Sequence, residues 1–291
     1  MNKHTNATIC DRKSRETLPV WPPTWLTVPV LAAERQSRIL DEVQRRGAIR
    51  VSELSQLLDV SDMTIRRDLD TLAGQGQLDK VHGGATVRRA PSTDEPGFEA
   101  KGQRQVEEKE AIATAALAMV TPGSAIGLSA GTTTWMFARH LGEVPDLTVV
   151  TNSMRIADLL HASTSNSLNV VLTGGVRTPS DALVGPLAVS ALEQLHLDVV
   201  FMGVHGMDPK AGFTTPNLLE AETDRALVEA GRRFVVLADH TKWGTVGIKT
   251  IASLDQADTV VVDSRMPSGD LADLRELARD VVVAEVTTAA G

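Results

Sequence analysis

Ser61-Asp62-Met63-Thr64-Ile65-Arg66-Arg67-Asp68-Leu69 is the stretch whose reading decides the fold of the N-terminal third of this chain. Ser61 is a natural N-cap, because its hydroxyl can accept a hydrogen bond from an amide that the first helical turn leaves unpaired. Ile65, Leu69 and Leu72 recur at helical spacing and form one apolar stripe. Asp62, Met63, Thr64, Arg66, Arg67 and Asp70 are left for the outer faces. Two adjacent arginines and a threonine near the start of such a helix are placed to reach phosphates and base edges in a DNA major groove. The pattern predicts the second helix of a helix-turn-helix.

On the N-terminal side, residues 33–46 read as a helix with Ile39, Leu40 and Val43 inward, ended by Gly47. Ile49-Arg50-Val51 reads as a short extended piece. Ser52 reads as the cap of the next helix, with Leu54, Leu57 and Leu58 inward and Glu53 favourable in its first turn. On the C-terminal side the recognition helix ends at Gly74 or Gly76, and two short extended arms around Gly83-Gly84 read as a β-hairpin wing. A basic pair on a helix is more often a solvated face than a DNA contact. Here a short turn, capping serines and a wing follow in order, which favours a winged helix-turn-helix over a plain helical hairpin.

Residues 34–86 resemble the DeoR family of bacterial regulators, on the motifs Glu34-Arg35, Val60-Ser61, Thr64-Ile65-Arg66-Arg67-Asp68-Leu69 and His82-Gly83-Gly84-Ala85. The resemblance implies Ser61, Thr64, Arg66 and Arg67 at the DNA, with Lys80 and His82 as wing contacts. It also implies a dimer or higher oligomer on double-stranded operator DNA, since one small module makes few phosphate contacts and specificity needs two half-sites. Asp68 reads as structural, a carboxylate able to orient an arginine.

The charge distribution agrees with a small DNA-binding head. Residues 1–90 carry 14 Lys/Arg against 11 Asp/Glu, while residues 91–291 carry 15 against 26. A mildly basic head on an acidic body suits local contact with a polyanion and argues against coating by nucleic acid. The single cysteine, Cys10, excludes an internal disulfide framework and fits a cytoplasmic protein. No run approaches the roughly 18 apolar residues of a membrane span. Residues 1–30 hold Trp21, Pro22, Pro23 and Trp25 without helical or strand period, and read as a disordered extension preceding a translation start near Val30. The expected division is extension 1–30, winged helix-turn-helix 31–90, linker 91–99 and an effector-sensing domain 100–291.

In that last part, continuous apolar runs alternate with helical ones, which predicts an α/β domain with a mostly parallel, doubly covered sheet. Ligands of such sheets bind beyond the carboxyl ends of the strands. Four polar clusters fall there: Ser129-Ala130-Gly131-Thr132-Thr133-Thr134, Thr151-Asn152-Ser153, Thr173-Gly174-Gly175 with Arg177 behind it, and Asp239-His240-Thr241-Lys242. Glycines let backbone amides approach an anion, and the hydroxyls add donors. Ser129, Gly131, Thr132, Thr133, Asn152, Ser153, Gly174, Gly175, Arg177 and Lys242 are therefore the candidate effector residues, suited to a small phosphorylated, hydroxyl-rich molecule.

Residues 100–265 also resemble the DeoR sensor domain, on Glu108-Lys109, Gly131-Thr132-Thr133, Thr151-Asn152-Ser153, Gly174-Gly175, Gly185, Asn217, Glu220, Arg225 and 239–244. This implies a fold similar to ribose-phosphate isomerase and coenzyme A transferases, and a sugar-phosphate effector. Where many members have Asp-Ser before Gly-Thr-Thr, this chain has Ser129-Ala130, which removes a carboxylate and a hydroxyl. Asp224, where a basic residue is common, reads as a surface change.

The function implied is a repressor of carbohydrate-metabolism genes, relieved by a phosphorylated sugar; an activator is the same reading with the opposite sign. An isomerase-like enzyme with a DNA-binding head is the alternative, with Asp239, Lys242 and Glu220 as base, electrophile and nucleophile. The sequence has no close carboxylate pair, Ser-His-Asp set or activated thiol, and its histidines lack metal-ligand spacing. No catalytic residue, metal ligand or cofactor is expected.

Overall fold

The computed structural model describes residues 32–87, 92–95, 97–162 and 168–287. The N-terminal extension and the start near Val30 lie outside them.

The head begins with α1 (Ala32–Arg46), which Gly47 ends at φ +72°. It continues through β1 (Ala48–Arg50), α2 (Val51–Leu58), α3 (Asp62–Gly74), β2 (Leu78–Val81) and β3 (Gly84–Val87). The three strands form one antiparallel sheet in the order β1-β3-β2. Ile39, Val43, Val51, Leu54, Leu58, Ile65, Leu69, Leu72 and Leu78 close a separate core. Two details differ from the sequence reading. Ser52 does not cap α2: β1 runs straight into the helix, Arg50 holds the N-cap position without a side-chain bond, and Val51 is the buried residue of the first turn. Leu57 is not inward but half exposed, because Val51, Leu54 and Leu58 already fill the helix's buried face. The wing is held close to β1 at Gly84, where an added Cβ would lie 2.3 Å from the Ile49 carbonyl oxygen.

The larger part is built on seven parallel strands. Along the chain come α4 (Phe98–Gly102), α5 (Val106–Leu117), β4 (Ala125–Leu128), α6 (Thr132–Ala138), β5 (Thr148–Thr151), α7 (Met154–His161) and β6 (Asn169–Leu172). Then follow a small hairpin, β7 (Val176–Arg177) and β8 (Leu183–Val184), α8 (Pro186–Leu192) and β9 (Val199–Gly203). The chain continues through β10 (Gly206–Asp208), β11 (Gly212–Thr215), α9 (Leu218–Ala230), β12 (Phe234–Leu237), β13 (Lys249–Ala252), β14 (Thr259–Asp263), α10 (Ser268–Leu277) and β15 (Val281–Ala284). The main sheet has the order β15-β14-β12-β9-β4-β5-β6, with every pairing parallel.

Alternate residues of each central strand enter opposite cores, which is why the strands read as unbroken apolar runs. Val199, Phe201, Val235, Leu237 and Val261 pack with α5, α6 and α7, through Ile112, Phe137 and Ile156. Val200, Met202, Val236, Val260 and Val262 pack with α8, α9 and α10, through Leu192, Leu227 and Leu274. The chain lays down β4, β5 and β6 in one direction, then restarts at β9 on the other side of β4 and proceeds the opposite way. Right-handed crossovers then put the two helix sets on opposite faces. The strand order therefore reverses between β4 and β9, where an open sheet leaves a crevice at its carboxyl edge. A second sheet, β10-β11-β13, is antiparallel and was not foreseen. Its strands, two of which open on a glycine, are three or four residues long, too short for a periodic signal.

Candidate DNA interface and effector pocket

The start of α3 is built as the sequence suggests. The Ser61 hydroxyl accepts from the Thr64 amide at 3.3 Å and shares a hydrogen bond with the Thr64 hydroxyl at 2.9 Å. Arg66 and Arg67 are both exposed, and among the described residues neither guanidinium has a partner. Lys80, on the wing strand β2, is ion-paired with Asp70 on α3, and His82 sits exposed at the wing turn beside Gly83 at φ +80°. Recognition helix and wing therefore form one face carrying two free guanidinium groups.

Asp68 is structural, but the arginine it orients belongs to another helix. Its side chain is only 6% exposed. It accepts from Arg35 Nε at 2.6 Å and Nη2 at 3.2 Å, and from Gln36 Nε2 at 3.0 Å. A bidentate Arg–carboxylate pair is directional as well as strong, so this clamp fixes the angle between α1 and α3.

The four polar clusters of the larger part meet on one edge. They follow β12, β4, β5 and β6, and all lie at strand carboxyl ends of one parallel sheet. At the reversal point, the Ser129 hydroxyl accepts from the Gly203 amide at 3.0 Å, and the Ser129 amide donates to the Phe201 carbonyl at 3.1 Å. Gly131 opens α6, with Thr132 and Thr133 buried in its first turn. Asn152 accepts from the Ala130 amide at 2.8 Å and donates to the Leu183 carbonyl at 3.3 Å, while Ser153 caps α7. Gly175 has φ +125° and no room for a Cβ against Val184, and Gly174 has φ +79°. Ser129, Asn152 and Ser153 thus spend their side chains on the frame. Arg177 pairs with Asp181, which also holds Arg155 at 2.6 Å.

Two cations within electrostatic reach of Lys242 are not among the candidate effector residues, although Lys109 belongs to a motif of the sensor resemblance. Lys109, buried on α5, donates to the carbonyls of Lys101 (2.7 Å) and Arg104. Burial pulls its ammonium down to about 8, with Asp239 opposing and Lys242 reinforcing. Burial lowers Lys101 as well, against the field of Glu220. Asp239 is fully buried: one carboxylate oxygen accepts from the Thr241 amide at 3.1 Å. The other, Oδ2, has no hydrogen-bond partner among the described residues, with Lys242 Nζ 3.9 Å away. Glu220 accepts from Thr178 and Thr215, each at 3.0 Å, and burial followed by the neighbouring Glu95 raises it.

Of the two histidines near strand ends, His205 is drawn down to about 4 by burial and then by Lys242 and Lys101, so it is neutral at pH 7. His240 donates from Nδ1 to the Asp263 carboxylate, 3.0 Å away, and serves the frame. Asp224 corrects the sequence reading: it is buried, and burial followed by Glu220 holds it well above the usual carboxylate range. Among the described residues no cluster of metal-ligating side chains occurs, and no helix is long and apolar enough to cross a membrane.

The chain has relatives across both parts. Residues 35–90 match the DeoR-like helix-turn-helix domain and residues 104–264 the DeoR C terminal sensor domain. An uncharacterized HTH-type transcriptional regulator YulB of Bacillus subtilis (strain 168) is 35% identical, over 85% of this chain and 95% of its own length. The HTH-type transcriptional regulator GlpR of Haloferax volcanii is 36% identical, over 87% and 98%. A putative aga operon transcriptional repressor of Escherichia coli O157:H7 is 32% identical, over 86% and 93%. Among solved structures, ribose 5-phosphate isomerase A of Methanocaldococcus jannaschii overlaps 46% of this chain and 53% of its own at 20% identity and a TM-score of 0.35, too loose a likeness to bear on function. With a DNA-binding head, a small-molecule sensor and regulators for relatives, the chain belongs to the DeoR family of transcriptional regulators and is not an enzyme.

Proposed function

We propose that the protein represses carbohydrate-metabolism genes as a homo-oligomer on double-stranded operator DNA, and that a phosphorylated sugar releases it. The observation that carries the effector half is the buried Asp239 Oδ2, without a hydrogen-bond partner among the described residues, beside Lys242 and within electrostatic reach of Lys109 at the carboxyl edge of the sheet. A buried acceptor left open is costly unless a ligand completes it, and a sugar hydroxyl is a fitting donor. The neighbouring ammonium groups offer charge to a phosphate. Repression is the sign carried by the aga operon relative's name, whereas another relative, 34% identical, is named L-fucose operon activator. Which sign applies depends on where the operator lies relative to the promoter.

The test is a thermal-shift screen of the full chain against pentose and hexose phosphates, followed by operator binding with each hit. At least one is expected to raise the melting temperature and weaken operator binding about 5- to 150-fold, the usual span of allosteric coupling. A panel that moves neither quantity removes the sensing half and leaves the DNA-binding half standing.

Lys109 makes binding pH-dependent. Its ammonium titrates near 8 in the free protein, and an anion beside it raises that value. Binding at pH 8 should therefore take up about half a proton, and affinity should fall as pH rises through that value. Titration calorimetry in buffers of different ionisation enthalpy reads the uptake directly; heats independent of buffer would show that Lys109 does not face the anion.

A further inference from the structure

Residues 92–95 join the head to the sensor in sequence, yet Ser92 and Glu95 are bonded to the sensor's own loops. The Ile248 amide donates to the Ser92 carbonyl at 2.9 Å. Glu95 Oε1 accepts from the Ser180 hydroxyl at 2.9 Å, and Oε2 from Asn217 Nδ2 at 3.1 Å. Lys101 Nζ donates to the same Ser180 hydroxyl at 2.8 Å. Just beyond, Phe98 packs edge-on against Trp135 at the start of α6, and Glu99 pairs with Arg155 at 2.8 Å. Glu95 is within electrostatic reach of Glu220, Lys101 and His205, and the last two are themselves within reach of Lys242.

Two facts make this more than a well-packed linker. The carboxylate is set beside a second, buried carboxylate, Glu220, a repulsive placement that packing alone would avoid. And its donors, a side-chain amide and a serine hydroxyl that itself accepts from the Lys101 ammonium, are those that recognise hydroxyl and anionic oxygens of a small molecule. We propose that Ser180, Asn217 and Lys101 form a second oxygen-binding subsite of the effector pocket, which Glu95 fills until an effector displaces it and frees the segment leading to the DNA-binding head. The proposal rests on the reading of that pocket as an anion site. Effector and linker then exclude one another, and occupancy is converted into slack between sensor and head. If the segment is docked in about nine molecules of ten, removing its carboxylate tightens effector binding about tenfold.

The experiment uses the full chain as wild type, Glu95→Ala and Asp94→Ala. Asp94 is exposed and also acts on His205, so its variant reports the loss of one negative charge without loss of the docked group. Inorganic phosphate and fructose 6-phosphate are titrated into each, hydrogen exchange is followed at the Ile248 amide, and operator affinity is measured without small molecule. The expected result has three parts. Glu95→Ala binds phosphate or fructose 6-phosphate about tenfold more tightly than wild type and Asp94→Ala does not. Ile248 exchanges faster in the liganded wild type. Apo Glu95→Ala holds operator more weakly. Equal affinities in Glu95→Ala and wild type would overturn the proposal and leave the anion site intact. Tighter binding with Ile248 still protected would reduce Glu95 to a charge effect and overturn displacement. Absence of binding in all three proteins would remove the anion site together with the proposal.

Discussion

Arg67→Ala should leave the head folded and abolish specific operator binding. The side chain is exposed and without a partner among the described residues, so its removal costs the fold little. A bidentate arginine contact to a base discriminates by about 1–3 kcal/mol. Two heads on a two-fold operator lose it twice, about 2–6 kcal/mol, which at 1.4 kcal/mol per decade is from about 30-fold to more than about 10,000-fold. Affinity for a scrambled duplex should fall far less, because that term is set by the count of phosphate contacts. Fluorescence anisotropy on both duplexes at one moderate salt concentration reads the difference. Retained preference for the operator would take Arg67 out of base recognition.

Asp68→Ala should do the reverse, destroying the head while touching no DNA. It removes the carboxylate that accepts twice from Arg35, whose side chain is 13% exposed. Removing one member of a buried pair costs about 3–5 kcal/mol, a large share of what so small a core supplies. For a domain of this size each kcal/mol lowers the midpoint by about 4–8 °C, so the head should melt at least about 12 °C earlier. The sensor's own transition, and its shift by effector, should persist, since its cores are separate. Replacing both partners, Arg35→Met with Asp68→Leu, should recover most of the loss, because a buried pair exchanged for apolar side chains is often neutral. A double variant as unstable as the single one would show that the clamp sets more than charge balance.

What was legible in the sequence was what neighbouring residues decide together. The Ser61 cap, the stripe of Ile65, Leu69 and Leu72, and strands such as Val199–Gly203 lie in local pattern and are seen where that pattern puts them. The carboxyl-end rule then brought four loops to one edge, though several of their side chains proved to be frame. The misreadings have a common physical origin in contacts distant along the chain. Ser52 resembles a cap until β1 is seen to enter α2 directly. Asp224 reads as surface because no local pattern announces its burial. Lys109 is an omission and not a misreading: in the sequence it stands only as a motif residue, and the packing of α5 shows that it is buried. Glu95 is the extreme case: a polar, proline-flanked stretch has the composition of a linker, and its partners lie 85 and 122 residues away.

The Asp70–Lys80 pair has a consequence for how the head meets a duplex. Phosphates attract a protein largely by letting condensed cations return to solution as lysines and arginines replace them. Lys80 already carries its own counter-ion, covalently fixed on the neighbouring helix. To engage a phosphate it must trade one oxyanion for another, while Asp70 is left facing the polyanion. If Lys80 is a wing contact, the wing should grip only where the rest of the surface fits closely enough to force the exchange, and the pair would restrain adventitious sticking to other duplex.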